Sequence, residues 1–202
     1  MFDMLGWPLV ALAGLVVAMG LWLTGGLHWD GLMDTADGLA AGQERCLAAM
    51  DDSRVGAAGV QVLVVVILVQ LACLIKLAWW APLALAISAF WGRCAPLWAI
   101  NHFPYLRSSN GTASFHCNYC KGLWDAVPAL IIVLSACAVV VLSPLNASVQ
   151  LRILMAIWSG LIPAFVMPHW LGQRLGGHTG DSYGASLVLT ETFTLMILAL
   201  VL

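Results

Sequence analysis

Long apolar runs alternate with short polar stretches along this chain, and the apolar runs have the length of bilayer crossings. They lie near 7–27, 57–75, 77–100, 126–145, 151–171 and 185–202, and a helix needs roughly 20 apolar residues to span hydrocarbon. The pattern predicts about six transmembrane helices. The connections 28–56, 101–125 and 172–184 hold most of the polar residues, whereas those near 76 and 146–151 hold few. No polar linker, repeat or low-complexity tract divides residues 1–202, so they read as a single integral-membrane domain.

Composition strengthens this reading. Hydrophobic residues make up 62% of the chain and charged ones 9%, and the mean hydropathy is +0.95, far from the soluble average. The expected fold class is all-α, a polytopic membrane helical bundle. A net charge of −2 without a basic stripe gives no footprint for nucleic acid. The first run is too long and too late for a cleaved signal, and Asp3 rather than a basic cluster flanks it. The bilayer is the partner that composition implies, and the reading leaves room for a homo-oligomer.

Charge distribution then orients the chain. Arg45, Arg54, Arg107, Lys121 and Arg174 fall in the three polar connections, with Arg93 near their edge, while only Lys76 and Arg152 fall on the opposite side. The positive-inside rule makes the first side cytoplasmic. Most carboxylates gather there too, with His28, His102, His116 and His178. A transporter would more often carry polar groups along a path through the membrane, and the runs 57–75 and 126–145 carry no charge.

Three constellations on that side carry candidate chemistry. In the first, Asp30, Asp34 and Asp37 place three carboxylates in eight residues of a chain with only ten Asp and Glu. On a helix they stand at i, i+4 and i+7 and share a face. Mutual repulsion favours a divalent cation between them, and oxygen-only ligands point to Mg²⁺ or Mn²⁺. The bland alternative is a solvated acidic helix start. The second is Met50–Gly59, where Asp52 and Arg54 either hold a phosphate between metal and guanidinium or form an intrahelical Asp–Arg pair. The third runs from Arg174 to Gly184. Its glycines, with His178, Thr179 and Asp181, offer N–H groups to an anion or make an interhelical turn. His178 is a candidate phosphate contact or base.

Other residues carry weaker signals. Glu191 and Arg93 are ionisable groups inside apolar runs, and Glu191 either faces the site or pairs structurally. Cys117 and Cys120 form a CxxC beside His116, but no second ligand pair completes a zinc site. Most tryptophans near run ends read as interface anchors.

The segments Thr24–Gly38 (TGGLHWDGLMDTADG), Met50–Gly59 (MDDSRVGAAG) and Leu175–Ala185 (LGGHTGDSYGA) together resemble the cobalamin synthase family, adenosylcobinamide-GDP ribazoletransferase. The resemblance implies a Mg²⁺-dependent transferase of the bacterial inner membrane, its active-site loops cytoplasmic. A hydroxyl of α-ribazole, or of its 5′-phosphate, would attack the cobinamide-side phosphate of adenosylcobinamide-GDP and release GMP. Matched to the family motifs are Asp30, Asp34 and Asp37, then Asp52, Arg54 and Gly56, then Gly176, Gly177, Thr179, Gly180 and Asp181. The roles expected are metal binding for Asp30, Asp34, Asp37 and Asp52, and catalysis for Asp34, Asp37, Asp52, Arg54 and His178. Substrate binding falls to His28, Arg174, Gly176, Gly177, Thr179, Gly180 and Asp181. Asp34–Gly38 also looks like the opening of the CDP-alcohol phosphotransferase motif, but Ala41–Gly42 replaces the next Ala-Arg pair and the later GxxxDxxxD is missing. Family members usually begin with a further segment and membrane helix, so the resemblance implies a chain short at its N-terminus.

Overall fold

The computed structural model describes residues 6–107 and 122–202, so His116, Cys117, Cys120 and Lys121 lie outside the described residues. Nine helices are seen among the described residues: α1 (Leu9–Leu23), α2 (Leu27–Ala41), α3 (Cys46–Met50), α4 (Ala57–Leu77), α5 (Ala81–His102), α6 (Val127–Leu142), α7 (Ala147–Trp158), α8 (Leu161–Leu175) and α9 (Gly180–Val201). The protein is all-α; beyond helices and turns, the described residues show only an isolated parallel bridge between Tyr105 and His178.

Four segments are long and apolar enough to cross a membrane: Ala57–His102, Trp124–Leu142, Ala147–Leu175 and Gly180–Val201. The bent pair α1 and α2 makes a fifth if it is one broken span. Counted as unbroken apolar segments these are four to five against the about six expected, for a local reason. A single 3₁₀ turn, Ala78–Trp80, links α4 to α5, so two apolar runs merge into one helical stretch of 46 residues. Each helix within it still has bilayer length, at 21 and 22 residues.

Helix α9 is the axis of the bundle and packs against α2, α4, α5, α7 and α8. In lipid, apolar faces gain little by meeting each other, so close packing and internal hydrogen bonds decide which helices associate. Accordingly α9 is lined with small and hydroxyl residues. Ser186, Thr192 and Thr194 are buried and donate to carbonyls one turn back, while Gln70 of α4 donates to Thr192 Oγ1 at 2.9 Å. Helix α6 is the opposite case: only Val133 is buried, and Leu130, Ile131, Ile132 and Leu134 are exposed, as a lipid-facing helix requires.

The sharpest bend positions the site. Gly25 and Gly26 have φ of 60° and 72°, values glycine adopts without penalty, and between them α2 turns 89° away from α1. Helix α2 then lies across the start of α9. Gly31 makes this possible, because a Cβ there would stand 2.6 Å from the backbone oxygen of Asp181.

Candidate active site

Residues 27–41 do form a helix, so Asp30, Asp34 and Asp37 project from related positions, yet they have different surroundings. Asp37 reaches the start of α4. Its carboxylate accepts from the N–H of Gly56 at 2.7 Å and of Gly59 at 2.8 Å. A carboxylate at a helix N-terminus satisfies orphan donors and the helix dipole. Both glycines are needed, since a Cβ at either would collide with that carboxylate. The three carboxylates are therefore not alike: Asp37 caps α4 and fixes it to α2. The Asp30 and Asp34 carboxylates have no hydrogen bond or ion pair to another described residue, and Asp34 feels the charges of Asp30, Asp181, Asp37 and Arg107.

A residue that motif reading did not single out organises the other wall. Arg107 Nη2 lies 2.7 Å from Asp51 Oδ1 and 2.8 Å from Asp181 Oδ2. Its segment is stapled in place: Leu106 N–H donates to His178 O at 2.8 Å, His178 N–H donates to Pro104 O at 2.9 Å, and Tyr105 stacks on Tyr183. The three polar connections expected on one membrane face therefore do meet, since Arg107 joins the first, through Asp51, to the start of α9. Only the count of Arg and Lys on that face hinted at Arg107.

The glycine loop is a turn that presents Asp181. Gly176, with φ of 76°, ends α8, and Gly177 lets Pro104 O approach. Thr179 caps α9 in a reciprocal capping box with Ser182, a motif that satisfies helix-start donors internally. The N–H groups of His178, Thr179, Ser182 and Tyr183 are all bonded within the protein. Gly180 and Asp181 open the helix. The expected anion cradle is thus largely closed by its own hydrogen bonds.

His178 is the clearest correction. Its ring is fully buried, with Nε2 3.0 Å from Pro168 O and Nδ1 2.9 Å from Ser182 Oγ. The carbonyl requires Nε2 to carry the proton, so Ser182 donates to Nδ1. Burial pushes the imidazole pKa down to about 4, leaving a neutral ring that pins the turn. It is placed neither as a base nor as a phosphate contact.

Asp52 and Arg54 pair with each other, though in a turn between α3 and α4 rather than within a helix. Arg54 Nη2 lies 2.6 Å from Asp52 Oδ2, on the surface, and the Arg54 hydrogen bonds, side chain first and then backbone, hold the Asp52 carboxyl down at about 2. In this structure the Asp52 carboxylate is thus engaged by Arg54. Arg174 is exposed in the last turn of α8, with no ion pair to the carboxylates. His28 lines a cavity of about 160 Å³ together with Arg93 and Glu191. Those two pair with each other at 3.2 Å, so Glu191 meets an arginine of α5. Among the described residues, no three His, Cys, Asp or Glu side chains form a ready metal cage.

The arrangement is a polar end on an apolar bundle, with two open carboxylates facing an Arg–Asp pair. Known proteins resemble it along the whole chain. The cobalamin-5-phosphate synthase family model matches residues 1–199. An adenosylcobinamide-GDP ribazoletransferase from Prochlorococcus marinus (strain MIT 9303) is 59% identical over 97% of this chain and 76% of its own length. Proteins of the same name from another strain of Prochlorococcus marinus and from Trichormus variabilis are 43% and 37% identical, each over 98% of this chain and 77% and 78% of their own lengths. No solved structure matches significantly.

Proposed function

The chain belongs to the cobalamin-5-phosphate synthase family, and from that premise we propose that it is an adenosylcobinamide-GDP ribazoletransferase of a bacterial inner membrane. A hydroxyl oxygen of α-ribazole, or of its phosphate, forms a bond to the cobinamide-side phosphorus. The bond from that phosphorus to the bridging oxygen breaks, GMP leaves with the electron pair, and the hydroxyl proton passes to a base or to water. Identity of up to 59% to ribazoletransferases over nearly the whole chain is the observation that carries this reading.

The site supports it chemically. Displacement at phosphorus asks the protein mainly for positioning and charge. Asp30 and Asp34 are the residues that would hold Mg²⁺. Their hard oxygens suit it, and Mg²⁺ commonly takes only one or two carboxylates beside water and substrate phosphates, so a ready cage is not required. When bound, the ion would neutralise charge on the diphosphate. Asp181, drawn against α2 through Gly31, sets the remaining wall, and Asp37 keeps α2 in register with α4. The excess of Arg and Lys on this end supports a cytoplasmic orientation, where a large hydrophilic corrinoid can arrive from water.

The test incubates the purified chain with adenosylcobinamide-GDP, α-ribazole and Mg²⁺ and follows products by chromatography. Cobalamin and GMP should appear together, and only with the acceptor present. GMP release that ignores α-ribazole would overturn the reading.

A further inference from the structure

We infer that Arg107 is a binding residue for the diphosphate of the activated substrate, and not only a tie between two carboxylates. The inference rests on the ribazoletransferase reading. Asp30, Asp34 and Asp181 converge where a diphosphate must come, and an anion entering such a field needs a cation already in place; Asp51, on the exposed side, only ties Arg107. Arg107 is the cation whose charge reaches both Asp34 and Asp181. The other arginines near the motifs are committed elsewhere or unconnected: Arg54 to Asp52, Arg93 to Glu191, Arg45 exposed in the turn before α3 with no ion pair to a described residue, and Arg174 exposed on α8.

The guanidinium is also underused. It has five N–H donors in a planar fork, yet Nη2 alone makes both ion pairs. Nε is buried with no hydrogen-bond partner, and Nη1 has no bond to a described residue. Its side chain keeps 30% exposure, so the group is reachable from water. Donors left open beside a carboxylate cluster suit bidentate contact with phosphate oxygens. The staple through Leu106, His178 and Tyr105 holds the residue in advance, which lowers the ordering cost of such a contact.

Arg107→Lys and Asp51→Asn separate binding from mere bridging. The lysine keeps a cation between the carboxylates but loses the fork; the asparagine weakens the bridge and leaves the fork. With the full chain in detergent, Arg107→Lys should raise the KM for adenosylcobinamide-GDP at least tenfold, with the KM for α-ribazole within twofold of wild type. Asp51→Asn should leave both within twofold. An unchanged KM in Arg107→Lys, or an equal rise in Asp51→Asn, overturns the inference. If the wild type releases no GMP, the reaction reading is what fails, and GDP binding then decides Arg107. Tenfold weaker GDP binding by Arg107→Lys supports the role; equal binding, or none by either protein, overturns it.

Discussion

Gly31→Ala tests whether the crossing of α2 over α9 builds the site. A Cβ added there would stand 2.6 Å from Asp181 O and 2.9 Å from Asp181 Cα, whereas ordinary contact begins near 3.4 Å. Both obstacles are backbone, so no side chain can swing aside, and the helices must part by about 0.8 Å. Overpacking of this kind costs about 1–3 kcal/mol. The catalytic consequence should be larger, because a misplacement on the order of 1 Å costs about 10²-fold in rate, and the separation moves Asp30 and Asp34 away from Asp181. Two substitutions calibrate the effect. At Gly184, on the same interface, the Cβ would meet His28 Cα at 3.2 Å, and at Gly14 it would meet nothing within 4 Å. Rates of GMP release and thermal midpoints in detergent should fall in the order Gly14→Ala, Gly184→Ala, Gly31→Ala. A Gly31→Ala protein turning over within twofold of wild type would refute the argument.

Two further predictions follow from the turn and from the charge pattern. His178 has a folded pKa of about 4, below the ordinary 6.5, so the folded state refuses a proton that the unfolded chain accepts. Its contribution is therefore full above about pH 6.5 and declines as pH falls towards 4; the thermal midpoint between pH 7.5 and 5 should drop more in wild type than in His178→Asn, and equal drops would contradict this. In a cysteine-free background, cysteines at the exposed positions Ala40 and Arg174 should label together, and only after cells are permeabilised; labelling of either from outside intact cells would reverse the orientation.

What was readable in the chain was what is local. The i, i+4, i+7 aspartates required only a helix at 27–41, and the apolar runs required only length. The glycines at Gly25 and Gly26 stood beside the acidic motif because the turn there needs positive φ. What stayed hidden depends on partners far along the chain. Asp37 meets Gly56 and Gly59 at separations of 19 and 22 residues, so its capping role has no local mark. Glycines around His178 suggested an open loop, whereas they let the 103–107 segment close over the ring. Asp52 and Arg54, two residues apart, satisfied each other, though in a turn rather than within a helix. Arg107 belonged to no motif, and only folding brings it to Asp51 and Asp181.

The aspartates of α2 divide by role, with Asp34 open to substrate and Asp37 capping α4, and one comparison decides this. Asp34→Asn and Asp37→Asn are purified, and the rate of cobalamin formation per folded molecule is measured beside the thermal midpoint. Asp34→Asn should keep the wild-type midpoint and lose about 10³-fold or more in rate, as removal of an electrostatic or metal-holding group does. Asp37→Asn should lose about 1–3 kcal/mol of stability through its charge-assisted hydrogen bonds, while the protein that remains folded keeps its rate within tenfold. The reverse pattern, an unstable Asp34→Asn and a stable but inactive Asp37→Asn, would contradict the assignment.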